Sequence, residues 1–199
     1  MSQLQDFMIS RVRVKMYELF FTHESEMYYV RQITREINEE INAVRRELER
    51  MLGAGIIKSE QRGNRLYYFV NTRYLFFQEL QQMVAKTTGL GKKIRKNLRK
   101  LGTISYVMLS GRYVQGLAPR QGEVDLLFVG EVVLAELTAL VKEEEAQLGR
   151  EINYAVFSLQ EFEFRKTRRD PFIMDVLFGS RVMLVGSDAE FSDRKAPGL

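Results

Sequence analysis

The chain has 199 residues, of which 45% are hydrophobic and 28% charged, and it carries a formal net charge of +4 and no cysteine. This length and composition suffice for one large or two small packed cores, which excludes global disorder. The lack of cysteine excludes disulfides, cysteine-ligated zinc and thiol catalysis. The sequence has neither a membrane-spanning apolar run nor the layout of a signal peptide at its start, so we expect a cytoplasmic protein without a membrane partner.

The positive charge is concentrated in one short segment. Residues 81–102 carry seven basic residues and no acidic one, whereas residues 1–80 are nearly neutral and residues 103–199 are net acidic. A local cluster of this kind suits contact with a polyanion better than a uniformly charged surface does. Three partners stay open for this segment, namely DNA phosphates, RNA and an acidic patch on residues 103–199, beside the simpler interpretation of a solvated helix face.

Hydrophobic residues at helical spacing predict three helices near the N-terminus. The first covers residues 10–22. The second is predicted to be capped by Ser25, with its core face further along the helix. After a turn at residues 38–40, the third runs from Ile41 to the glycines at positions 53 and 55, which suit the end of a helix.

A hairpin is predicted to follow these helices. Its strands are expected at residues 56–58 and 66–70, joined by a turn at residues 61–65 in which Gly63 and Asn64 suit positive φ. Helices followed by a basic hairpin form a winged helix, which places one helix in the major groove of DNA and a β-ribbon beside it. We therefore expect a winged helix-turn-helix DNA-binding domain over residues 1–73.

The segment from the third helix onward resembles the ArsR-like winged-helix regulators. The resemblance is carried by residues 48–60, which read LERMLGAGIIKSE, by RGNR at residues 62–65, and by Tyr67 and Tyr68. It implies a transcriptional regulator that binds double-stranded DNA. Some ArsR relatives sense metal ions through cysteine ligands, which this chain lacks, so the resemblance does not imply metal sensing of that kind.

The third helix and the hairpin tip carry the candidate DNA contacts, because the N-terminal part of a recognition helix reaches base edges. Asn42 is expected to pair with adenine, and Arg45 or Arg46 with guanine. The predicted DNA-binding residues are Asn42, Arg45, Arg46, Arg50, Arg62, Asn64 and Arg65. The alternative is a protein–protein module with ordinary polar residues on its surface, and carboxylates at Glu39, Glu40, Glu47 and Glu49 favour it because they repel phosphates.

Residues 74–102 form a predicted basic linker of two helices. The first carries apolar residues from Tyr74 to Val84, residues 87–91 interrupt it, and a lysine- and arginine-rich helix follows. The aromatic-rich first helix is expected either to form the seam of a homodimer bound to two half-sites or to pack the two halves of the chain together.

Strands and helices alternate through residues 103–186, which predicts a mixed-sheet domain of the α/β (α+β) class. Strands are predicted at residues 104–109, 124–129, 152–157 and 181–185, and helices at residues 132–148, 159–169 and 171–178. Residues 187–199 are expected to be a loose tail.

A candidate nucleotide site lies between the first two of these strands. It consists of Gly111, Arg112, Gly116, Glu123 and Asp125. Residues two apart on a strand share a face, so the two carboxylates are expected to point the same way. Convergent carboxylates beside a glycine-rich loop can hold Mg²⁺ against a nucleoside triphosphate.

This layout resembles the minimal nucleotidyltransferase domains of the polymerase-beta superfamily. Residues 149–154, 161–162 and 171–172 resemble a branch in which that fold is fused to a winged helix. The chain departs from the family pattern in that Arg112 stands where the family has a phosphate-binding serine and Glu123 replaces the first aspartate. A third carboxylate is expected on the strand at residues 150–157, whose register offers Glu151 and the uncharged Asn153. Because metal-assisted phosphoryl transfer depends on that cluster, the departures favour a degenerate site.

The sequence as a whole predicts a dimeric, sequence-specific transcriptional regulator whose second domain is a non-catalytic module for ligand sensing or for assembly. If that domain still binds a nucleotide, Arg112 is expected to contact the phosphate. Two other functions stay open. An active Mg²⁺-dependent nucleotidyltransferase would modify a protein, an RNA or a small molecule. A protein-interaction module, such as one half of a toxin–antitoxin pair, would bind a stable partner.

Overall fold

A computed structural model describes residues 10–193 as an α+β structure. The chain divides into two units, with the boundary between Thr87 and Thr88. This boundary falls inside the segment that the sequence treats as one linker, so the two linker helices belong to different units. Within the part of the chain that the structure describes, no helix is long and apolar enough to cross a membrane.

The N-terminal unit combines helices with a three-stranded antiparallel sheet of order β1-β3-β2. Its elements are α1 (Arg11–Thr22), β1 (Tyr28–Tyr29), α2 (Val30–Ile37), α3 (Ile41–Gly53), β2 (Ile57–Arg62), β3 (Arg65–Val70) and α4 (Phe77–Thr87).

The core of the N-terminal unit lies between the helices and the sheet. Phe20, Ile33 and Leu48 come from α1, α2 and α3, and each is almost fully buried. Burial of one such side chain contributes about 1.5–3 kcal/mol. The first and third helices therefore form where hydrophobic spacing predicts them, and the Ser10 hydroxyl caps α1 by accepting a hydrogen bond from the Arg13 N–H.

The start of the second helix differs from its prediction. Ser25 does not cap it, since α2 begins at Val30 with Tyr29 as its cap residue. Tyr28 and Tyr29 instead form β1, which pairs with Tyr68 and Tyr67 of β3. The pairing of aromatic residues across strands holds this segment extended, so tertiary contacts override the local capping signal.

The hairpin is longer than predicted and turns more tightly. Arg62 pairs with Arg65, which leaves Gly63 and Asn64 as a two-residue turn. Gly63 has a φ of +58°, whereas Asn64 does not have a positive φ. Positive φ at only the first residue is the pattern of a type II′ turn, which matches the twist of the strands that it joins.

The linker helix α4 completes the N-terminal core. Val84 is buried, and the ring of Phe77 stacks on that of Phe21 in α1 with centroids 5.4 Å apart. Leu75 and Phe76 stay exposed just before the helix. The aromatic residues of this segment thus divide between the core of their own unit and its surface.

A half-buried carboxyl group beside α4 makes the stability of this unit depend on pH. Glu24 accepts a hydrogen bond from the Gln81 side chain, and burial raises the pKa of Glu24 to about 6. The folded state therefore holds a proton that the unfolded chain releases, and the stability that this proton provides is lost as pH rises through 6.

We expect Glu24→Gln to raise the free energy of unfolding by about 1 kcal/mol at pH 7 and to leave it unchanged near pH 4. This gain is smaller than the full pKa shift would give, because the side chain is partly exposed and water screens its charge. Urea denaturation at both pH values, with the exposed Glu79→Gln on α4 as control, measures the effect. An equal gain at both pH values would contradict the assignment to Glu24 ionisation.

The C-terminal unit contains a four-stranded sheet of order β6-β5-β4-β7, in which β5 and β6 are parallel and the other pairs antiparallel. Its elements are α5 (Gly89–Leu101), β4 (Gly102–Ser110), α6 (Gly111–Val114), β5 (Leu126–Val132), α7 (Leu134–Leu148), β6 (Tyr154–Phe157), α8 (Leu159–Thr167), α9 (Pro171–Phe178), β7 (Arg181–Val185) and α10 (Asp188–Ser192).

At the ends of this unit, one prediction is too broad and another is wrong. The expected interruption at residues 87–91 shrinks to Thr88, because Leu90 and Gly91 are already buried in α5. The expected loose tail forms α10, whose Phe191 is 0% exposed and stacks on Phe162 with ring centroids 5.0 Å apart. Burial of one aromatic side chain orders an otherwise polar segment. The rest of the predicted tail, residues 194–199, lies outside the described residues.

Candidate functional site

The exposed face of α3 carries four of the candidate DNA-binding residues. Val44, Leu48 and Met51 are buried on one side of this helix. The side chains that remain exposed on the other side include Asn42, Arg45, Arg46 and Arg50. The structure thus places these residues on one surface, where a ligand could reach them.

Four carboxylates weigh against DNA contact, and three of them, Glu39, Glu40 and Glu47, form ion pairs or hydrogen bonds within the N-terminal unit. Glu47 is 2% exposed and accepts hydrogen bonds from Arg13 and Ser10. Glu39 forms ion pairs with Lys15 and Arg11. The structure therefore does not leave these groups free to repel a polyanion.

Glu40 has a different role, since it caps the N-terminus of α3. Its carboxylate accepts hydrogen bonds of 2.9 Å from the backbone N–H groups of Asn42 and Ala43, which hold its pKa below the ordinary value. A carboxylate at this end of a helix is stabilised by the helix dipole. Glu49 is the remaining acidic residue of this set, and it is exposed.

The hairpin tip carries the other three candidates. Arg62 pairs with Glu60, with 2.9 Å between Nε and Oε1. Arg65 lies over the ring of Tyr29, 4.6 Å from its centroid. Asn64 is exposed in the turn between them. The ring of Tyr29 therefore orients one of the two arginines, and an acidic neighbour on the same strand orients the other.

In the C-terminal unit, Asp125 is turned away from solvent. Its carboxylate is 0% exposed and accepts hydrogen bonds from Arg150 Nη1 at 2.9 Å and Nη2 at 3.3 Å. The backbone N–H of Asn153 donates a third bond at 3.1 Å. A guanidinium group therefore occupies the side of this carboxylate that a cation would need.

Strand alternation does not relate Glu123 to Asp125, which corrects the expectation that a strand would point both carboxylates the same way. Strand β5 begins only at Leu126, so both acidic residues precede it. Glu123 lies 3.4 Å from Arg112 Nε and accepts a bond of 2.9 Å from the Arg120 N–H. The two carboxylates are each matched with a different arginine.

These contacts decide whether the residues fit Mg²⁺. The described residues contain no group of three or more histidine, aspartate or glutamate side chains that could hold a metal ion. Octahedral Mg²⁺ needs free carboxylate oxygens. Those of Asp125 are already bonded to protein donors, so the residues present do not fit the metal.

A cavity of about 530 Å³ opens beside the short helix α6. Gly111, Arg112 and Glu123 line it, whereas Asp125 and Gly116 do not. The wall also includes the charged side chains of Arg120 and Asp175 and the ring of Phe172. The predicted nucleotide site is thus divided between a buried ion pair and an open cavity.

Gly111 shapes one side of this cavity through a close approach to the loop before β7. Its N–H donates to the Ser180 carbonyl at 2.7 Å, and a Cβ at this position would lie 1.9 Å from Ser180 Oγ. Glycine is required here because no larger residue leaves room for the two backbones to meet.

A polar network that sequence reasoning missed surrounds Asp125. The Arg150 guanidinium lies 5.5 Å from the ring centroid of Tyr113, whose pKa is raised chiefly by burial. Glu144 is also buried, and Lys93 pairs with it at 3.0 Å. No spacing signal joins these residues, because they come from different helices and from a loop.

Comparison with known proteins found no match among protein-family models, curated proteins or solved structures.

Proposed function

We propose that this protein is a sequence-specific DNA-binding transcriptional regulator of the ArsR-like winged-helix type. In this proposal α2 and α3 are the helix-turn-helix, α3 is the recognition helix, and the hairpin of β2 and β3 is the wing. The observation that carries the proposal is the face of α3, on which Asn42, Arg45 and Arg46 are exposed while Glu39 and Glu47 are engaged by internal cations.

The wing would add contacts that do not depend on base sequence. Arg62 and Arg65 lie on either side of a two-residue turn, where guanidinium groups can reach phosphates or the minor groove. Regulators of this kind bind two half-sites as homodimers, so we expect a dimer on the operator.

The C-terminal unit is proposed to sense a ligand without transferring a nucleotidyl group. The cavity beside α6 is large enough for a small molecule, and Arg112 and Arg120 in its wall suit an anionic group such as a nucleotide phosphate. The ion pair of Asp125 with Arg150 supports the non-catalytic proposal, because it removes a carboxylate that metal-assisted transfer would use. Transfer of label from a nucleoside triphosphate that disappears in Asp125→Asn would contradict it.

We expect Arg45→Ala or Arg46→Ala to weaken operator binding by about 1–3 kcal/mol, or roughly 5- to 150-fold, where the residue makes a bidentate base contact. Arg62→Ala should instead weaken binding to every duplex alike and reduce the salt dependence. Selection of bound fragments from genomic DNA supplies the operator, and gel-shift titration against operator and random duplexes measures both effects.

The exposed Arg73 lies outside α3 and the hairpin, so Arg73→Ala is the matched control for loss of one positive charge. If all the α3 and hairpin variants bind the operator as tightly as the control does, the N-terminal unit is not the DNA-binding part of the protein.

A further inference from the structure

The basic helix α5 presents a continuous cationic face. Its buried residues Leu90, Ile94 and Leu101 lie on one side, toward α7 and β4. Successive residues of a helix are 100° apart, which places five cations within an arc of about 140° on the opposite side. This cationic stripe consists of Lys92, Arg95, Lys96, Arg99 and Lys100. At 1.5 Å per residue it is about 12 Å long.

Among residues 88–193, no acidic side chain forms an ion pair with the five cations of the stripe. The basic residue of α5 that does form ion pairs is Lys93, on the flank of the stripe, at 2.8 Å from Glu143 and 3.0 Å from Glu144. The acidic side chains of residues 103–199, which the sequence offers as one possible partner, thus pair with one cation of α5. Lys96, Arg99 and Lys100 are exposed. Five like charges on one short helix repel one another, and a bound polyanion would relieve that repulsion.

We propose that the cationic stripe of α5 binds the phosphate backbone of duplex DNA, as a contact surface separate from α3 and the hairpin. A row of cations along a helix matches the dense row of charges on a nucleic-acid strand, and neutralising those phosphates releases counterions. The stripe carries no aromatic side chain for stacking on unpaired bases, which favours a duplex over a single strand.

A membrane surface fits this helix less well. Amphipathic helices that bind lipid insert their apolar side among the acyl chains. The apolar side of α5 is already used, since Leu90, Ile94 and Leu101 are buried within the C-terminal unit. The choice of duplex DNA as the ligand rests on the proposed function. The contact surface consists of residues of the C-terminal unit, whereas α3 and the hairpin belong to the N-terminal unit.

The double variant Lys96→Gln/Arg99→Gln in the full-length protein tests the proposal. Two lost phosphate contacts should reduce the slope of log affinity against log salt by about 1.8 and lower the affinity for a random duplex roughly 60-fold near 0.1 M salt. The control is Arg168→Gln/Arg169→Gln, which removes two exposed cations from the C-terminal end of α8 in the same unit. The control should leave slope and affinity unchanged.

If the two double variants bind the random DNA duplex with equal affinity, the proposal is wrong. It is also wrong if the α5 double variant loses affinity for duplex RNA but keeps its affinity for duplex DNA. Comparison with Arg45→Ala/Arg46→Ala separates this inference from the proposed function. If the α3 variant binds operator like the wild type while the α5 variant loses affinity for duplex DNA, the recognition-helix proposal fails and the stripe stands. The reverse result removes the stripe and leaves the recognition helix in place.

Discussion

Replacement of Arg150 by methionine will destabilise the C-terminal unit by about 3 kcal/mol, because it leaves a charge buried without its partner. Asp125 is fully buried, and in the variant its carboxylate keeps only the N–H of Asn153 as a protein donor. The estimate is at the lower end for a broken buried pair, since the Arg150 side chain is 26% exposed and water can enter its place. Methionine keeps most of the aliphatic stem, so lost packing contributes little.

Urea denaturation followed by hydrogen exchange of peptides from residues 88–193 measures this loss, and peptides from residues 10–87 serve as the internal reference. Asp125→Asn in the Arg150→Met background should restore most of the stability, because it removes the charge and keeps an acceptor for the Asn153 N–H. A double variant no more stable than Arg150→Met would show that the charge of Asp125 is not the cause. If Arg150→Met unfolds at the same urea concentration as the wild type, the ion pair of Asp125 with Arg150 does not stabilise the unit.

Sequence periodicity located most helices and strands of this chain, because each buries one face. The predictions for residues 171–178 and 181–185 agree with α9 and β7, and α3 begins at the predicted Ile41. The failures occur where a distant segment decides the local structure. Tyr28 and Tyr29 are held extended by β3, and α10 is held by the burial of Phe191. Neither partner is visible in the local pattern.

The candidate nucleotide site was less predictable than the fold. The positions of Glu123 and Asp125 depend on where β5 begins, and strand boundaries are the weakest part of a sequence pattern. The partner of Asp125 is 25 residues away along the chain, in the loop after α7. Only folding brings this guanidinium to the carboxylate, so the residue types alone suggested a metal site where the protein has an ion pair.

Glu47 is a case in which the sequence did hold a usable signal. It lies three residues after Val44 and four before Met51, so helical spacing places it on the buried side of α3. A charged residue on a buried face requires a partner of opposite charge. That partner is Arg13, 34 residues earlier, and its identity follows only from the packing of α1 against α3.

We expect Arg13→Met to destabilise the N-terminal unit by about 2–3 kcal/mol, because Glu47 then lacks its main cation. Arg13 donates its Nε–H to Glu47, and this bond raises the pKa of Arg13. Arg50 partly compensates from 3.4 Å, but its side chain is mostly exposed. Urea denaturation followed by hydrogen exchange of peptides from residues 10–87 measures the loss, with peptides from residues 88–193 as reference.

The matched control is Arg11→Met on the same helix, since the pair of Arg11 with Glu39 is at the surface and should contribute less than 1 kcal/mol. Arg13→Met combined with Glu47→Gln should recover stability, because no charge is then left buried. Equal losses from Arg11→Met and Arg13→Met would contradict this account.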